Sequence, residues 1–514
     1  MDALTSAALV GTGQRPPADL ASGTRVDVLA ATLASSDTER ALLLRAGTLA
    51  IYRLAGHSAE PLPDVPAPAP AETLAVCSHA AAELLRQLLS TRDAGLLTEA
   101  LERGRDAQLR LPPALLPLAL ATRDADVRQA LVPVLGERGR WLARQNSAWA
   151  WVAQTRDDTA GALHDDAEPL WQEGTAGQRV ALLRRLRAVD PAKARDWLAA
   201  AWKQEKADTR ADLVQTLAVG LGPDDEPFLE AALDDRASSV RAAVPPLLAH
   251  IATSAFAARA RAHAEAILIF KDGALDAKPP TALEQAALRD GIVEKPQRGT
   301  GQRGWWLLQL LSTVAPSHWV AYFGMSPEAL IAAISPAKWR STLLEGWTRA
   351  AVAFADDAWI APLWAYWQEP APAKEEGDRD EMRTLLAPHV PSAALEQWAL
   401  AVLADPAGER QPTLDSVLAA LPSPWSAAIG RAYLAGLRTF VAALGSASDS
   451  AAPWDVTLDI AARALPPECF AAALDPFAMP ENNHHWRVQQ FGRQLDAFAD
   501  VIRLRRRILE EIPV

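Results

Sequence analysis

The sequence predicts an all-α protein, with stacked helical hairpins through its N-terminal half and a second helical array after them. Three observations lead there. Apolar residues recur at spacings of three and four along most of the chain, and no convincing run of alternation marks a strand. A helix–turn–helix unit recurs at an offset of 31 residues. The 514 residues include 38 prolines but only 27 glycines. Low-complexity disorder would raise both, so the prolines fit the first turns of many helices.

In order, residues 1–58 read as an N-terminal helical segment. Residues 59–72 (AEPLPDVPAPAPAE) read as a stiff, polyproline-like linker. Residues 73–270 hold the hairpin repeats. Residues 271–303 carry a Pro-Pro, a Lys-Pro and several glycines, and are expected to join two halves. Residues 304–514 form the second array. Clear helices include Val180, Leu182, Leu183 and Leu186, and later Phe491, Leu495, Phe498 and Ile502. Glu369 to Glu381 is expected to be an exposed acidic loop. No charge lies between Arg303 and Glu328, a length that could span a bilayer. However, Ala315-Pro316-Ser317-His318 interrupts it, so two buried helices are expected instead.

The repeat is read directly from the residues. Trp197 to Trp202 aligns with Phe228 to Leu233, Thr209-Arg210 with Val240-Arg241, and Leu217-Ala218 with Leu248-Ala249. A further copy lies upstream at Leu116, Leu120, Val127-Arg128, Ala130 and Leu135, and the stretch between these copies is degenerate. Each unit is a short helix, an Asp-rich turn and a second helix opening on an arginine. The pattern resembles HEAT repeats of the armadillo-like helical class, most closely over Asp224 to Ile251. It implies an α–α superhelix, a solenoid in which stacked neighbours complete one apolar core. Arg128, Arg210 and Arg241 are expected to hold aspartates of their own or the next turn.

Three further stretches resemble an uncharacterised bacterial family of large helical proteins: TSAALVGTGQRPP, GRWLARQNSAWAWV (139–152) and DGIVEKPQRGTGQRGWWLLQLLSTVAPSHWVAYFG (290–324). Members are typically encoded beside a MoxR-type AAA+ ATPase and a von Willebrand factor A domain protein. The resemblance implies those two partners and carries no catalytic residues.

Motif chemistry is sparse. Gly299-Thr300-Gly301-Gln302-Arg303-Gly304 matches G-x-G-x-x-G, but it lacks the preceding strand and the acidic residue about 20 positions later that a dinucleotide site requires. There is no Walker G-x-x-x-x-G-K-[ST] and no G-x-S-x-G. Cys77-Ser78-His79 and His484-His485 belong to no spaced ligand set, so no metal or cofactor is expected. The Asp pairs at 157–158, 165–166 and 356–357 suit turns and caps. Two cysteines so far apart, and no signal-peptide pattern, point to the cytoplasm.

The 18 tryptophans cluster, with Trp305, Trp306, Trp319, Trp339, Trp347, Trp359, Trp364 and Trp367 in one stretch. Large aromatics fill gaps between hairpins and also anchor interfaces. Trp305, Trp306 and Trp319, with Arg503, Arg505, Arg506 and Arg507 of the last helix, form the candidate partner surface. The expected role is a non-enzymatic protein-binding scaffold or adaptor. The alternative is a nucleic-acid-binding protein resembling HEAT-like DNA glycosylases, against which the net charge of −12 counts.

Overall fold

The computed structural model describes residues 3–14, 23–33, 35–55, 66–91, 93–149, 151–152, 167–296, 301–335, 338–369, 373–404, 413–444, 454–479 and 486–514. Of these, 73% lie in helices, and the protein is all-α. The chain divides into two units between Ala69 and Pro70.

In the first unit, α1 (Ala3–Val10) and α2 (Arg25–Thr32) pack on α3 (Thr38–Ala55). Thr24 caps α2 by accepting a hydrogen bond from the Val26 N–H. The buried set is small: Leu4, Ala7, Val26, Ala30 and Ala41. Of the expected linker 59–72, residues 59–65 lie outside the described residues, and 66–72 form neither helix nor strand.

The second unit opens with α4 (His79–Thr91), α5 (Ala94–Asp106), α6 (Leu116–Leu120), α7 (Ala125–Leu131) and α8 (Gly136–Gln145). These helices enclose one apolar core that includes Leu84, Leu101, Leu120 and Leu131. A two-residue parallel pairing of β1 (Ala75–Val76) with β2 (Leu109–Arg110) ties its entry to the segment after α5.

The 31-residue units follow as three hairpins: α9 (Ala167–Glu173) with α10 (Ala176–Val189), α11 (Pro191–Ala201) with α12 (Ala207–Gln215), and α13 (Glu226–Ala232) with α14 (Ser238–His250). Leu186, Leu217 and Leu248 share one position in the unit, and each is buried. The first hairpin is the copy that reads as degenerate. Its membership shows in the ring contacts: Trp171 stacks on Trp197 at 5.7 Å, and one unit later Trp202 meets Phe228 edge-on at 5.0 Å. Arg179 pairs with Glu205, and Arg210 forks onto Asp235 at 2.8 and 3.1 Å. Arg241 donates to the Asp235 carbonyl, and Arg128 to the Thr122 carbonyl, each within its own turn. The opening arginines therefore bind turns, whether their own or the next.

After α15 (Ala255–Glu265) the chain forms an antiparallel hairpin, β3 (Leu268–Lys271) with β4 (Ala274–Ala277), and then α16 (Gln285–Arg289). This corrects the strand-free reading. Asp272 and Gly273 at the tip both have positive φ, 52° and 79°, as a tight two-residue hairpin turn requires. One buried apolar core runs from Trp171 to Ile502 and takes in residues on both sides of the 271–303 segment.

The uncharged stretch folds as α17 (Gln302–Ser312) and α18 (Pro316–Phe323), broken at the proline. Among the described residues, no single helix is long and apolar enough to cross a membrane. Next come α19 (Pro327–Ala333), α20 (Arg340–Ala353), α21 (Asp357–Trp367) and α22 (Ala373–Leu386). The last of these replaces the expected acidic loop over 373–381; residues 370–372 of that loop lie outside the described residues. Arg379, Met382 and Arg383 supply a buried face that holds the acidic sequence as helix.

The array ends with α23 (Ser392–Ala404), α24 (Leu414–Ala420), α25 (Ala427–Ala443), α26 (Trp454–Ala464), α27 (Phe470–Leu474) and α28 (Trp486–Glu511). Phe491, Leu495, Phe498 and Ile502 of α28 enter the larger core, while Ile508 and Ile512 enter the core built on α4 to α8. The last helix therefore returns to the first helices of its unit. Polar contacts join there too: Arg463 pairs with Asp93, and Arg103 donates to the Ile512 carbonyl.

Candidate functional site

The tryptophan cluster sorts by burial. Trp306, Trp319, Trp347, Trp359, Trp364 and Trp367 are at most 3% exposed. Trp347 and Trp359 meet edge-to-face at 4.9 Å, and the Trp367 indole donates to Thr348 Oγ1. A fully enclosed side chain offers no surface to a partner. Trp306 and Trp319 of the expected surface therefore belong to the core, for a geometric reason. Successive positions on a helix point about 100° apart, so where Trp305 faces out, Trp306 faces in. Trp305 itself is half-buried, with its indole donating to the Val293 carbonyl at 2.9 Å.

The arginine run also divides. Arg505 is 5% exposed and donates to Glu99 of α5 and to the carbonyls of Ala462 and Leu465, so it fastens α28 in place. Arg503 and Arg506 are exposed and pair within the helix with Asp500 and Glu510, and Arg507 reaches Gln87. Among the described residues, no recorded contact joins these arginines to Trp305.

Trp305 instead lines a groove of about 1110 Å³. Its floor is the α17–α20 pair. Gly346 of α20 allows the close approach, since a Cβ there would lie 2.8 Å from Leu311 Cβ. The helices run side by side in the same direction: Arg303 beside Trp339 at one end, Leu311 beside Gly346 further on. One wall carries Trp305 and Gln309 of α17 and the end of α14. The opposite wall is α22, with Asp378, Glu381 and Met382.

Lys338 lies just before α20, and Ser341, Thr342, Glu345 and Arg349 of α20 follow it in the groove, at a helical spacing that puts those four on one face. Their charge changes sign along the way. At the start, the Lys338 ammonium lies 4.8 Å from the Trp339 ring centre, with the Arg303 guanidinium at 6.0 Å. Arg303 is held by the Pro279 and Pro280 carbonyls. Two turns on, Arg349 bridges Glu345 at 2.8 Å and Glu381 at 2.6 Å. Burial pushes the Glu345 carboxyl above the ordinary glutamate range. Arg349 opposes that shift without cancelling it, and the neighbouring Glu381 and Asp378 charges add to it. The far end is closed by His250, whose ring stacks on Phe354 at 4.7 Å. Its nitrogens lie 2.7 Å from the Pro246 carbonyl and 3.0 Å from that of Ala353.

Gly301 and Gly304 of the G-x-G-x-x-G stretch sit at the start of α17, beside the cationic end; Gly299 and Thr300 lie outside the described residues. Cys77 and Cys469 are buried and unpaired, and no group of three metal-capable side chains occurs among the described residues. Asp157, Asp158, Asp165, Asp166, His484 and His485 lie outside the described residues.

Of the groove residues, the sequence singles out Trp305, Trp339, Trp367 and the 301–304 stretch, but not Lys338, Glu345, Arg349 or His250. The four-residue spacing of Glu345 and Arg349 was a visible signal. Glu381, 32 positions after Arg349, had none.

No curated protein and no solved structure matches the chain. One family model does, over residues 3–512, nearly the whole sequence. The chain therefore belongs to DUF5691, a family of unknown function.

Proposed function

We propose that this protein is a non-enzymatic interaction scaffold, in which HEAT-like stacked hairpins present the groove on α17 and α20 to a segment of another protein. The groove carries this reading. It is large enough for several side chains, it offers half-buried tryptophan beside hydroxyl and amide groups, and its charges are fixed by one another. Arg349 held between two carboxylates suits recognition better than activation of a nucleophile. The stretches at 139–152 and 290–324 suggest a MoxR-type AAA+ ATPase and a von Willebrand factor A domain protein as partners, acting in the cytoplasm. The nucleic-acid alternative gains nothing from a groove walled by Glu345, Asp378 and Glu381.

A photo-crosslinking amino acid at Gln309, in the cells that encode the protein, tests the proposal. Mass spectrometry should recover one or both partners from this position and not from the exposed Val189. Equal recovery from the two positions would sink it.

A further inference from the structure

The groove's charge pattern specifies what it takes. Among the described residues, the acidic part holds three carboxylates, Glu345, Asp378 and Glu381, around one cation, Arg349. Fully ionised, it carries an excess of about two negative charges, which Arg349 leaves unneutralised. A docked cation would lower that repulsion. No metal-binding group occurs there among the described residues, so an organic cation, lysine or arginine, suits it. At the other end Lys338 is exposed and makes no ion pair among the described residues. Arg303 beside it is bound to carbonyls that neutralise no charge. That end suits a carboxylate.

The separation sets the spacing. Lys338 precedes α20 by two residues and Glu345 lies five residues past its start, so five helical steps and two irregular ones separate them by roughly 10 Å. An extended chain covers that in about three residues. Between them lie Ser341 and Thr342, whose hydroxyls are able to pair with a peptide backbone. Building on the scaffold reading, the geometry points to an extended peptide segment of a partner protein as the ligand. Its acidic side chain lies at Lys338, and a basic side chain about three residues away lies among Glu345, Asp378 and Glu381.

The test uses the full chain and four fluorescein-labelled, capped Gly/Ser peptides of about nine residues. Two carry Asp and Lys three positions apart, one in each order. The others carry two Asp or two Lys. Fluorescence polarisation at low salt should show one mixed peptide binding about 5- to 10-fold more tightly than either like-charged peptide, since each partly exposed pair contributes a few-fold. Glu381→Gln should weaken the two-Lys peptide and strengthen the two-Asp peptide. Lys338→Gln should do the reverse. Both residues are exposed, so thermal midpoints should stay within about 1 °C of the parent. Four peptides binding alike, or both variants shifting all peptides in the same direction, would overturn the inference. If no peptide binds but a Gln309 crosslinker still captures a partner, this ligand assignment fails and the scaffold reading survives. Loss of both removes both.

Discussion

The hairpins from α9 to α14 and the helices around the groove use arginine in opposite ways. Arg187 of α10 is wholly buried. Its guanidinium donates to Asp225 at 2.7 and 3.0 Å, to Val219 and Gly220 carbonyls at 2.8 Å, and to Pro191 at 2.9 Å. Every donor faces the neighbouring hairpin, so its charge orders the stack and nothing else. Arg349 of α20 is 36% exposed and holds two carboxylates at the edge of open space. The same residue type fixes register in one region and lines an open groove in the other. Burial, and the supply of carbonyl acceptors, decides which.

The sharpest way to break the comparison is to remove Arg187. Arg187→Met keeps the aliphatic bulk but leaves the Asp225 carboxylate, itself 2% exposed, with Arg195 at 3.2 Å as its remaining cation and the Gly222 N–H at 3.1 Å. Truncating one member of a buried pair costs about 3–5 kcal/mol. The chemical-denaturation midpoint should fall accordingly, and partial unfolding of residues 167–250 should appear in hydrogen exchange. A loss under about 1 kcal/mol would mean that Arg187 does not hold the hairpins together.

That contrast also explains what the sequence could reveal. Helices with a strong apolar stripe were legible, as at Leu182, Leu183 and Leu186 or at Phe491, Leu495 and Phe498, because burial demands the spacing. The β3–β4 hairpin escaped although Asp272-Gly273 signalled its turn; strands of four residues are too short to establish alternation. The α22 helix reads as a loop because its first turns are acidic and its described buried side chains, Arg379, Met382 and Arg383, include two cations, which give no apolar stripe. The groove was least legible of all. Its walls come from positions as distant as Pro246 and Glu381, brought together by stacking that no local pattern encodes. Tryptophan clustering led to Trp305 but could not separate it from Trp306, since composition says nothing about which way a helix faces.

A second variant acts on the floor of the groove. Gly346→Ala would gain about 1 kcal/mol of helix propensity. However, the new methyl would meet Leu311 Cβ at 2.8 Å and Cδ1 at 3.1 Å. A Cβ cannot swing aside, so α17 and α20 must separate, and overpacking of that kind costs about 1–3 kcal/mol. The clash should win by roughly 1 kcal/mol. The thermal midpoint should drop, and quenching of Trp305 by acrylamide should rise as the floor opens. A raised midpoint would show that the helices have slack, and the groove would then lose its claim to be pre-formed.

The smallest effect is the most specific to the groove side of the comparison. Glu345 titrates above the ordinary glutamate value of about 4.3 because burial, and then the Glu381 and Asp378 charges, outweigh Arg349. Between the unfolded and the raised folded value, the native state binds more protons than the unfolded state. Stability therefore falls as pH rises through that window. Glu345→Gln carries no titrating group, so the parent should lose stability relative to the variant as pH rises from about 4 through the raised folded value. With the Glu345 side chain 31% exposed, the change should stay below about 1 kcal/mol. All other carboxylates are common to both proteins, so the difference between their denaturation midpoints, followed across pH, isolates this one. A difference that is flat, or that grows in favour of the parent, would mean that Arg349 already neutralises Glu345. The acidic end of the groove would then have less need of a cation from outside.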